Sequence, residues 1–412
     1  MRAGSILFVA VTIVSGASFA SQVGGRADWP QWRGPERSGL AVLAAPAAWP
    51  ATLTKRWEAV VGAGHSSPII VGDRVVLHTR ENDQEIVRAL DLKTGKEQWR
   101  SQYPAPYTMN PAARGHGPGP KSTPTAAGGR VFTFSISGVL SAFDVSSGKL
   151  LWRGATPHSP PEFGTAMSPI VDGPHVIVHL GARDKGALTA FEAATGAVRW
   201  QWTGDGPGYA SPVIADIGGR RHLITQSENA VIGVDPRDGQ LLWQIPFKTS
   251  FDQNSVTPLV VRDLVIYSGL DNGTSAVRIA RKGTAWTAEP VWKNDQVSMY
   301  MSSPVVNEST VYGLSHRNRG QFFALDLSTG KTLWTTPGRD GENASLMLAG
   351  SLLLMSTTNA ELIVARANPA RFEELTRYTI ATSAVWAHPA VSGPLILVKD
   401  VDKVICWEIG KG

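Results

Sequence analysis

Cysteine is almost absent from the 412-residue sequence, which contains only Cys406. A single cysteine excludes an intramolecular disulfide and a cysteine-rich metal site. Charged residues make up 18% of the chain, below the usual quarter or so, and the formal charge of +5 reflects a small basic surplus. No run of five or more Lys or Arg residues occurs. Nucleic acid is therefore not expected as a partner.

Long apolar runs are absent after the N-terminus, so no later segment is expected to span a membrane. Residues 1–20 are typical of a secretory signal peptide, because Arg2 precedes a short apolar run, 6–14, and small residues lead to Ala20. No cysteine follows at the expected cleavage position, so a bacterial lipid anchor is not expected. The sequence predicts an exported protein that is periplasmic or secreted.

Recognisable catalytic motifs are also lacking. The sequence shows no Ser-His-Asp order, no His-Glu-x-x-His motif, no phosphate-binding loop and no carboxylate pair at a spacing typical of acid–base catalysis. No catalytic residue and no metal-ligand set are therefore assigned, and a role other than catalysis is the first expectation.

The sequence is instead rich in glycine (42), proline (27) and tryptophan (14), which suits an all-β chain with many turns. An eleven-residue phrase recurs five times, most clearly as ALDLSTGKTLW at 324–334. The other copies lie at 89–99, 142–152, 190–200 and 233–243. Regular repeats of this length indicate an architecture of stacked, similar units.

Each copy of the phrase predicts a strand, a tight turn and a second strand. The acidic residue can accept backbone N–H groups of the turn, and the glycine supplies the positive φ that a tight turn needs. The tryptophan near the end of the second strand suggests a wedge between neighbouring units. The expected repeat tryptophans are Trp57, Trp99, Trp152, Trp200, Trp243, Trp292, Trp334 and Trp407. Tyr378 is expected at the tryptophan position of a degenerate seventh unit.

The units open with similar dipeptides and have the four-strand pattern of a propeller blade. The openings are Ser67-Pro68, Thr123-Pro124, Ser168-Pro169, Ser211-Pro212, Thr257-Pro258, Ser303-Pro304 and His388-Pro389, with a proline-free opening at 343–345. A lone strand at 53–60 precedes the first unit, and the last unit stops one strand short. The sequence therefore predicts an all-β, eight-bladed propeller over 53–412, closed by the N-terminal strand so that no sheet edge stays open.

The segment before the propeller, 21–52, contains the cluster DWPQWRGPERSG at 28–39. Its tryptophans, prolines and arginines favour a packed N-terminal cover segment over a ligand site. The sequence leaves open whether this segment covers the channel or wraps the rim.

The phrase A-x-D-x-x-T-G-K-x-x-W closely resembles the PQQ-like (pyrrolo-quinoline quinone) β-propeller repeat superfamily, over roughly residues 53–409. One branch, the quinoprotein dehydrogenases, binds PQQ with Ca²⁺ and oxidises alcohols or sugars. This chain lacks the adjacent cysteine pair of many members, and no Asn/Asp/Glu set matches their Ca²⁺ ligands or catalytic Asp. A non-catalytic branch includes the propeller lipoprotein of outer-membrane barrel assembly. A looser group of secreted proteins begins with a similar W-P-Q-W-R-G-P segment.

A propeller places the segments before its inner strands at one mouth of the central channel. Polar and aromatic residues converging on such a concavity indicate a ligand site. The candidates are His65, Arg114, His116, Lys121, Tyr209, Asp252, Asn254, Tyr300, Glu342, Asn343, Trp386 and His388. Each can equally be a turn, loop or packing residue.

Three functions remain open from the sequence. The first is a non-catalytic binding or scaffold protein that holds a small-molecule ligand or a periplasmic protein. The second is a PQQ-dependent oxidoreductase, for which PQQ with Ca²⁺ would be the cofactor. The third is an outer-membrane assembly factor.

Overall fold

The repeated phrase forms the third and fourth strands of successive four-stranded antiparallel sheets. The computed structural model describes residues 28–43, 45–46, 48–154 and 160–410, and the expected signal peptide at 1–20 lies outside them. Eight such sheets follow one another, and the predicted eight-bladed, all-β propeller is confirmed. None of the helices in the described segments is long and apolar enough to cross a membrane.

Blades 1 to 4 are built from consecutive strands that run outward from the channel. Blade 1 contains β2 (Ile69–Val71), β3 (Arg74–Glu81), β4 (Gln84–Asp91) and β5 (Glu97–Pro104). Blade 2 contains β6 (Thr125–Ala127), β7 (Arg130–Phe134), β8 (Leu140–Asp144) and β9 (Leu150–Arg153). Blade 3 contains β10 (Ile170–Asp172), β11 (His175–Ala182), β12 (Lys185–Glu192) and β13 (Val198–Trp202). Blade 4 contains β14 (Val213–Ile217), β15 (Arg220–Gln226), β16 (Ala230–Val234) and β17 (Leu241–Pro246).

Blades 5 to 7 repeat this order, and blade 8 takes its outer strand from the N-terminal side. Blade 5 contains β18 (Leu259–Val261), β19 (Leu264–Ser268), β20 (Thr274–Lys282) and β21 (Ala285–Asn294). Blade 6 contains β22 (Val305–Asn307), β23 (Thr310–Ser315), β24 (Gln321–Asp326) and β25 (Thr332–Thr335). Blade 7 contains β26 (Ala344–Ala349), β27 (Leu352–Thr357), β28 (Glu361–Arg366) and β29 (Glu373–Thr379). Blade 8 contains β30 (Ala390–Ser392), β31 (Leu395–Lys399), β32 (Lys403–Glu408) and β1 (Thr54–Val60).

The first strand of each blade lines the central channel. β2 contacts both β6 and β30, and β22 contacts β26, so the first strands of neighbouring blades meet around the channel. In the described ranges, three short 3-10 helices lie in the connections, at Pro111–His116, Ser250–Asp252 and Arg317–Arg319. The apolar core lies between the blades, where facing sheets bury Val, Leu, Ile and Phe side chains.

The turn inside each phrase is held by its acidic residue. In blade 1, Asp91 Oδ1 accepts the backbone N–H groups of Lys93 (3.1 Å) and Thr94 (2.8 Å). Gly95 then adopts φ +70°, the left-handed conformation that glycine takes without a steric penalty. The same pattern recurs at Asp144 and Asp326.

The repeat tryptophans join each blade to the next. Trp99 of blade 1 donates its indole N–H to Val145 O of blade 2 at 3.1 Å. Its ring lies over Gly148, where an added Cβ would come within 2.3 Å of the indole. The phrase therefore needs glycine for two reasons, the positive φ and the close approach of a ring. The same indole hydrogen bond and the same ring–glycine contact are made by Trp57, Trp152, Trp200 and Trp292.

Three repeat tryptophans deviate. Trp334 of blade 6 keeps the bond to the next blade, because its indole N–H donates to Asn368 O at 2.9 Å, but no described glycine of blade 7 lies against its ring. Blade 5 lacks the Asp-x-x-x-Gly turn against which Trp243 of blade 4 would pack. The indole N–H of Trp243 therefore donates to His222 Nδ1 of its own blade, at 3.1 Å. Trp286 of blade 5 fills the space beside it, with its ring centroid 4.5 Å from that of His222. Trp407 lies on the third strand of blade 8 and donates to Ile380 O at 2.9 Å.

The expectation for Tyr378 is wrong. The pairing of β28 with β29 shifts between Val364 and Ala365, as it does beside each repeat tryptophan, and this register places Thr376 at the tryptophan position. Tyr378 lies two residues further along and donates its hydroxyl to Pro50 O at 2.7 Å. It therefore holds the N-terminal segment instead of wedging two blades.

The ring closes through β1 and β32 as the sequence predicts. Trp57 pairs with Cys406, and the register continues to Val60 opposite Lys403. Blade 8 thus receives its outer, fourth strand from the opposite end of the chain, which pairs the edge of β32 and joins the two ends of the ring.

Residues 28–43 enter the channel, and we call this segment the channel plug. Trp29 forms a β-bridge with Ile70 of blade 1, and Leu40 forms one with Leu348 of blade 7. Pro30 O accepts the backbone N–H of Ala126 in blade 2 at 2.8 Å. The plug is therefore attached to inner strands on several sides of the channel.

Two buried arginines fix the plug to the inner strands. Arg33 Nη2 donates to Pro304 O of blade 6 at 2.5 Å. Arg37 donates to Ser168 O (3.2 Å) and Pro169 O of blade 3 and to Pro212 O of blade 4 (3.0 Å). Burial lowers the pKa of each arginine to about 9. These guanidinium groups use backbone carbonyls as partners in place of carboxylates.

Candidate functional site

Hydroxyl-bearing residues precede the inner strands and form a ring at the channel mouth. In this ring the hydroxyl oxygen of one blade accepts a backbone N–H from the blade before it. The bonds run from Ser67 N to Thr123 Oγ1 (3.1 Å), Thr123 N to Ser168 Oγ (3.0 Å), Ser168 N to Ser211 Oγ (2.9 Å), Thr257 N to Ser303 Oγ (3.2 Å) and His388 N to Ser67 Oγ (2.8 Å). We call Ser67, Thr123, Ser168, Ser211 and Ser303 the hydroxyl ring. Each oxygen already accepts one N–H, so its own O–H remains able to donate.

A cavity of about 430 Å³ lies within the hydroxyl ring. All eight blades contribute to its wall, and Trp32 and Arg33 of the channel plug form its floor. Aromatic side chains supply much of the remaining lining, among them Phe163, Tyr209 and Trp386. This volume and this mixture of apolar walls with few polar groups are typical of a small-molecule site.

Eight of the twelve sequence candidates line this cavity, Asn343 and seven others. The seven others are His65, His116, Lys121, Tyr209, Tyr300, Trp386 and His388. With Asn343 they come from six different connections between blades, which explains why no short motif contains them. Their presence at one cavity places them where a ligand can reach them, and their ligand contacts stay a prediction.

His65, His116 and Trp386 form one aromatic cluster on the wall. The ring centroid of His116 lies 4.5 Å from that of Trp386 and 5.9 Å from that of His65. Burial, followed by the positive charge of Lys399, lowers the pKa of His65 to about 3. Burial likewise lowers the pKa of His116. Both imidazoles are therefore neutral near pH 7.

His388 contacts the channel plug. Its ring stacks on Trp29 at a centroid distance of 6.1 Å, and Nδ1 lies 2.9 Å from Pro389 O. Burial and the nearby Arg33 lower its pKa to about 4. His388 thus supports the contact between blade 8 and the channel plug.

Lys121 carries the ammonium group on the wall, at the end of the long 103–121 loop. Its Nζ donates to Phe163 O at 2.7 Å, which ties the loop to the neighbouring blade. Burial lowers the pKa of Lys121 to about 8, so the amine is largely protonated at pH 7. Lys121 has no carboxylate partner within ion-pair distance among the described residues.

Four sequence candidates lie off the cavity wall. Arg114 and Glu342 are exposed on the surrounding loops. Asn254 is fully buried, and its Nδ2 donates to Ser227 O and Phe247 O at 2.8 Å each. Asp252 pairs with Arg183 and with Lys248 (2.9 Å). Asn254 and Asp252 therefore brace the connection into blade 5, as short polar side chains beside a turn commonly do.

That brace holds an exposed aromatic residue at the cavity rim. Phe251 lines the cavity, is 72% exposed and adopts φ +60°, and Asp252 after it adopts φ +56°. A bulky residue in the left-handed region is strained, and such strain persists where the surrounding contacts enforce it. The ion pairs of Asp252 fix the backbone directly after Phe251.

Sequence reasoning missed Trp32, Arg33, Phe163, Phe251 and Gln253 as lining residues. Gln253 Oε1 accepts the hydroxyl of Tyr300 on the wall. The signal for Phe251 was a large apolar residue in a polar connection. Trp32 and Arg33 could have been found from their position between prolines and glycines, because such a sequence favours a compact segment with tight turns.

Comparison with known proteins agrees with the fold. The PQQ_2 family model, described as outer membrane protein assembly factor BamB, matches residues 47–110 and 83–336. The chain belongs to this family. BamB of Yersinia pestis is 26% identical over 302 residues, which cover 68% of this chain and 70% of that protein. A polyvinylalcohol dehydrogenase from a Pseudomonas species is 25% identical over 321 residues, 60% of this chain but 50% of that protein.

Solved structures with the same architecture carry different names. BamB from Moraxella catarrhalis has a TM-score of 0.64 and 17% identity, covering 87% of this chain and 98% of its own. Quinohemoprotein alcohol dehydrogenase from Comamonas testosteroni has a TM-score of 0.63 and 14% identity, covering 93% of this chain and 81% of its own. At these identities the likeness shows the fold alone, so the function must be argued from the site.

Proposed function

We propose that this chain is an exported, non-catalytic binding protein that holds a small ligand in the cavity at the channel mouth. The observation that carries the proposal is the cavity itself, walled by all eight blades and floored by Trp32 and Arg33. Aromatic side chains and the hydroxyl ring give it the apolar surface and the few polar groups that a ligand site needs. The apolar run at 6–14 supports export.

The proposal is tested with the neutral fluorescent probe N-phenyl-1-naphthylamine, whose emission rises in an apolar site. The wild-type protein should bind it saturably. Ala166 lines the cavity, and Ala166→Trp should fill part of the volume and abolish binding while leaving the melting temperature nearly unchanged. Equal binding by both proteins would place the probe elsewhere and contradict the proposal.

The residues of the cavity do not fit PQQ with Ca²⁺. Ca²⁺ requires a shell of oxygen ligands that usually includes carboxylates. Within the described ranges, neither Asp nor Glu lines the cavity, and the amide oxygens of Asn343 and Gln253 already accept the hydroxyls of Ser302 and Tyr300. The quinoprotein alternative therefore lacks its metal ligands at this site.

Thermal unfolding with and without PQQ and Ca²⁺ tests that alternative directly. We expect no stabilisation that requires both components. A ligand present at a hundred times its Kd stabilises a folded protein by about 2.7 kcal/mol, so binding would be visible. A melting shift that needs PQQ and Ca²⁺ together would restore the oxidoreductase interpretation.

A second candidate function, a scaffold in outer-membrane protein assembly, is supported by the family match and by the relatives named BamB. Expression of this chain in a bacterium that lacks its own BamB tests it. Restored outer-membrane protein levels would support the scaffold function. Restoration by Ala166→Trp as well would show that assembly does not use the cavity.

A further inference from the structure

The polar groups of the cavity offer hydrogen-bond donors on several sides. Each hydroxyl of the hydroxyl ring accepts a backbone N–H, which leaves its proton for another partner. The two amide oxygens that line the wall, in Asn343 and Gln253, already accept hydroxyl groups. A ligand in this cavity therefore meets hydrogen-bond donors on several sides.

The charges of the lining have one sign. Arg33 and Lys121 are the basic groups, and no acidic residue in the described parts of the chain lines the cavity to balance them. Arg33 is anchored to the protein through Nη2, which donates to Ser38 O and Pro304 O, while its buried Nε has no hydrogen-bond partner among the described residues. Lys121 donates to the single carbonyl of Phe163, and an ammonium group has three N–H donors.

The ammonium of Lys121 stands beside an apolar surface. Phe163, Tyr209 and Trp386 line the same cavity, so a ligand that reaches Lys121 also contacts aromatic rings. Removal from water strengthens the attraction between an unpaired ammonium and an anionic oxygen. We propose that the cavity binds a small amphiphile with one anionic group, anchored at Lys121 Nζ, and an aromatic or apolar body against these rings.

This inference rests on the proposed function, and a matched pair of probes separates the two. 1-Anilinonaphthalene-8-sulfonate has the aromatic body of N-phenyl-1-naphthylamine plus a sulfonate. The wild-type protein should bind the sulfonate probe about 10- to 100-fold more tightly, the range expected for one hydrogen bond to a charged group. Lys121→Met should remove this preference and retain the neutral probe.

Two further variants control the experiment. Lys121→Arg keeps the charge and should keep most of the preference, which also covers the case in which Lys121→Met unfolds the loop. Lys96→Met removes an exposed turn lysine and should leave both affinities unchanged. Equal binding of both probes by the wild-type protein, or a preference that survives in Lys121→Met, would overturn the anion site and leave the binding function standing. Failure of both probes to bind would overturn the binding function itself.

Discussion

Single residues decide how neighbouring blades join. Trp99 reaches blade 2 only because Gly148 has no Cβ, and the same relation holds between Trp57 and Gly95. Each indole contributes a large apolar contact, and its N–H donates to a backbone carbonyl across the interface. The repeated phrase therefore forms a turn within its own blade and also packs that blade against its neighbours.

Gly148→Ala should destabilise the protein by about 2–4 kcal/mol, because it adds both left-handed strain and a clash with the Trp99 ring. Urea unfolding measures the loss. Gly173→Ala is the matched control, since Gly173 also has positive φ (+54°) but an added Cβ would meet nothing within 4 Å. The control should lose only about 1–2 kcal/mol, the cost of the backbone conformation. Equal losses would mean that the indole contact contributes nothing.

Phe251→Gly should raise the stability of the protein and weaken probe binding. Glycine relieves the left-handed strain at φ +60°, worth about 1–2 kcal/mol, but removes the aromatic ring from the rim. Urea unfolding and titration with N-phenyl-1-naphthylamine measure the two effects. Arg262→Gly is the control, because Arg262 has φ +58° in an exposed turn off the cavity wall and should gain stability without changing affinity.

At the scale of elements, the channel plug connects blades that do not otherwise touch. Arg37 alone reaches carbonyls of blades 3 and 4 and the Thr125 hydroxyl of blade 2. A β-propeller ring has contacts only between neighbours, so a segment in its channel adds links across the ring. The plug also supplies the floor of the cavity.

Arg37→Gln should lower the free energy of unfolding by about 3 kcal/mol or more, because several buried carbonyls lose a charged donor. Denaturant unfolding monitored by tryptophan fluorescence measures the change. Arg56→Gln is the control, since Arg56 is exposed and pairs with Glu408 at the surface, where an ion pair contributes little. If the two variants are equally stable, the plug does not hold the ring together.

The sequence predicts the elements better than it predicts the site. Spaced glycines and tryptophans indicate the blades, and the orphan strand with Trp57 indicates the closure, because both are local patterns with one structural solution. Tyr378 and Asp252 illustrate the limit. A bulge sets which residue of β29 faces the next blade, and ion pairs from Arg183 and Lys248 decide that Asp252 braces the rim. Neither contact is encoded within one repeat.

At the scale of the whole molecule, buried imidazoles make the fold sensitive to acid. Burial lowers the pKa of His179, His222 and His388 to about 4 each. The unfolded chain takes up a proton on each imidazole below about pH 6.5, whereas the folded chain does so only near pH 4. Lowering the pH through this window therefore favours the unfolded state.

We expect the free energy of unfolding to fall steadily from pH 6.5 to about pH 4, with a limiting slope of about 1.4 kcal/mol per pH unit for each imidazole. Urea unfolding at a series of pH values measures it. His388→Gln should make the slope shallower. A stability that stays constant down to pH 4 would contradict the neutral, buried state of these histidines.

The eight blades, their closure and the plug together produce one cavity, and the central claim is that this cavity holds the ligand. A crystal structure of the wild-type protein with 1-anilinonaphthalene-8-sulfonate tests the claim most directly. We expect the probe inside the hydroxyl ring, with its rings in contact with Trp386 and its sulfonate at Lys121 Nζ. A probe bound at a blade edge or on the outer surface, with the cavity free of it, would contradict the claim.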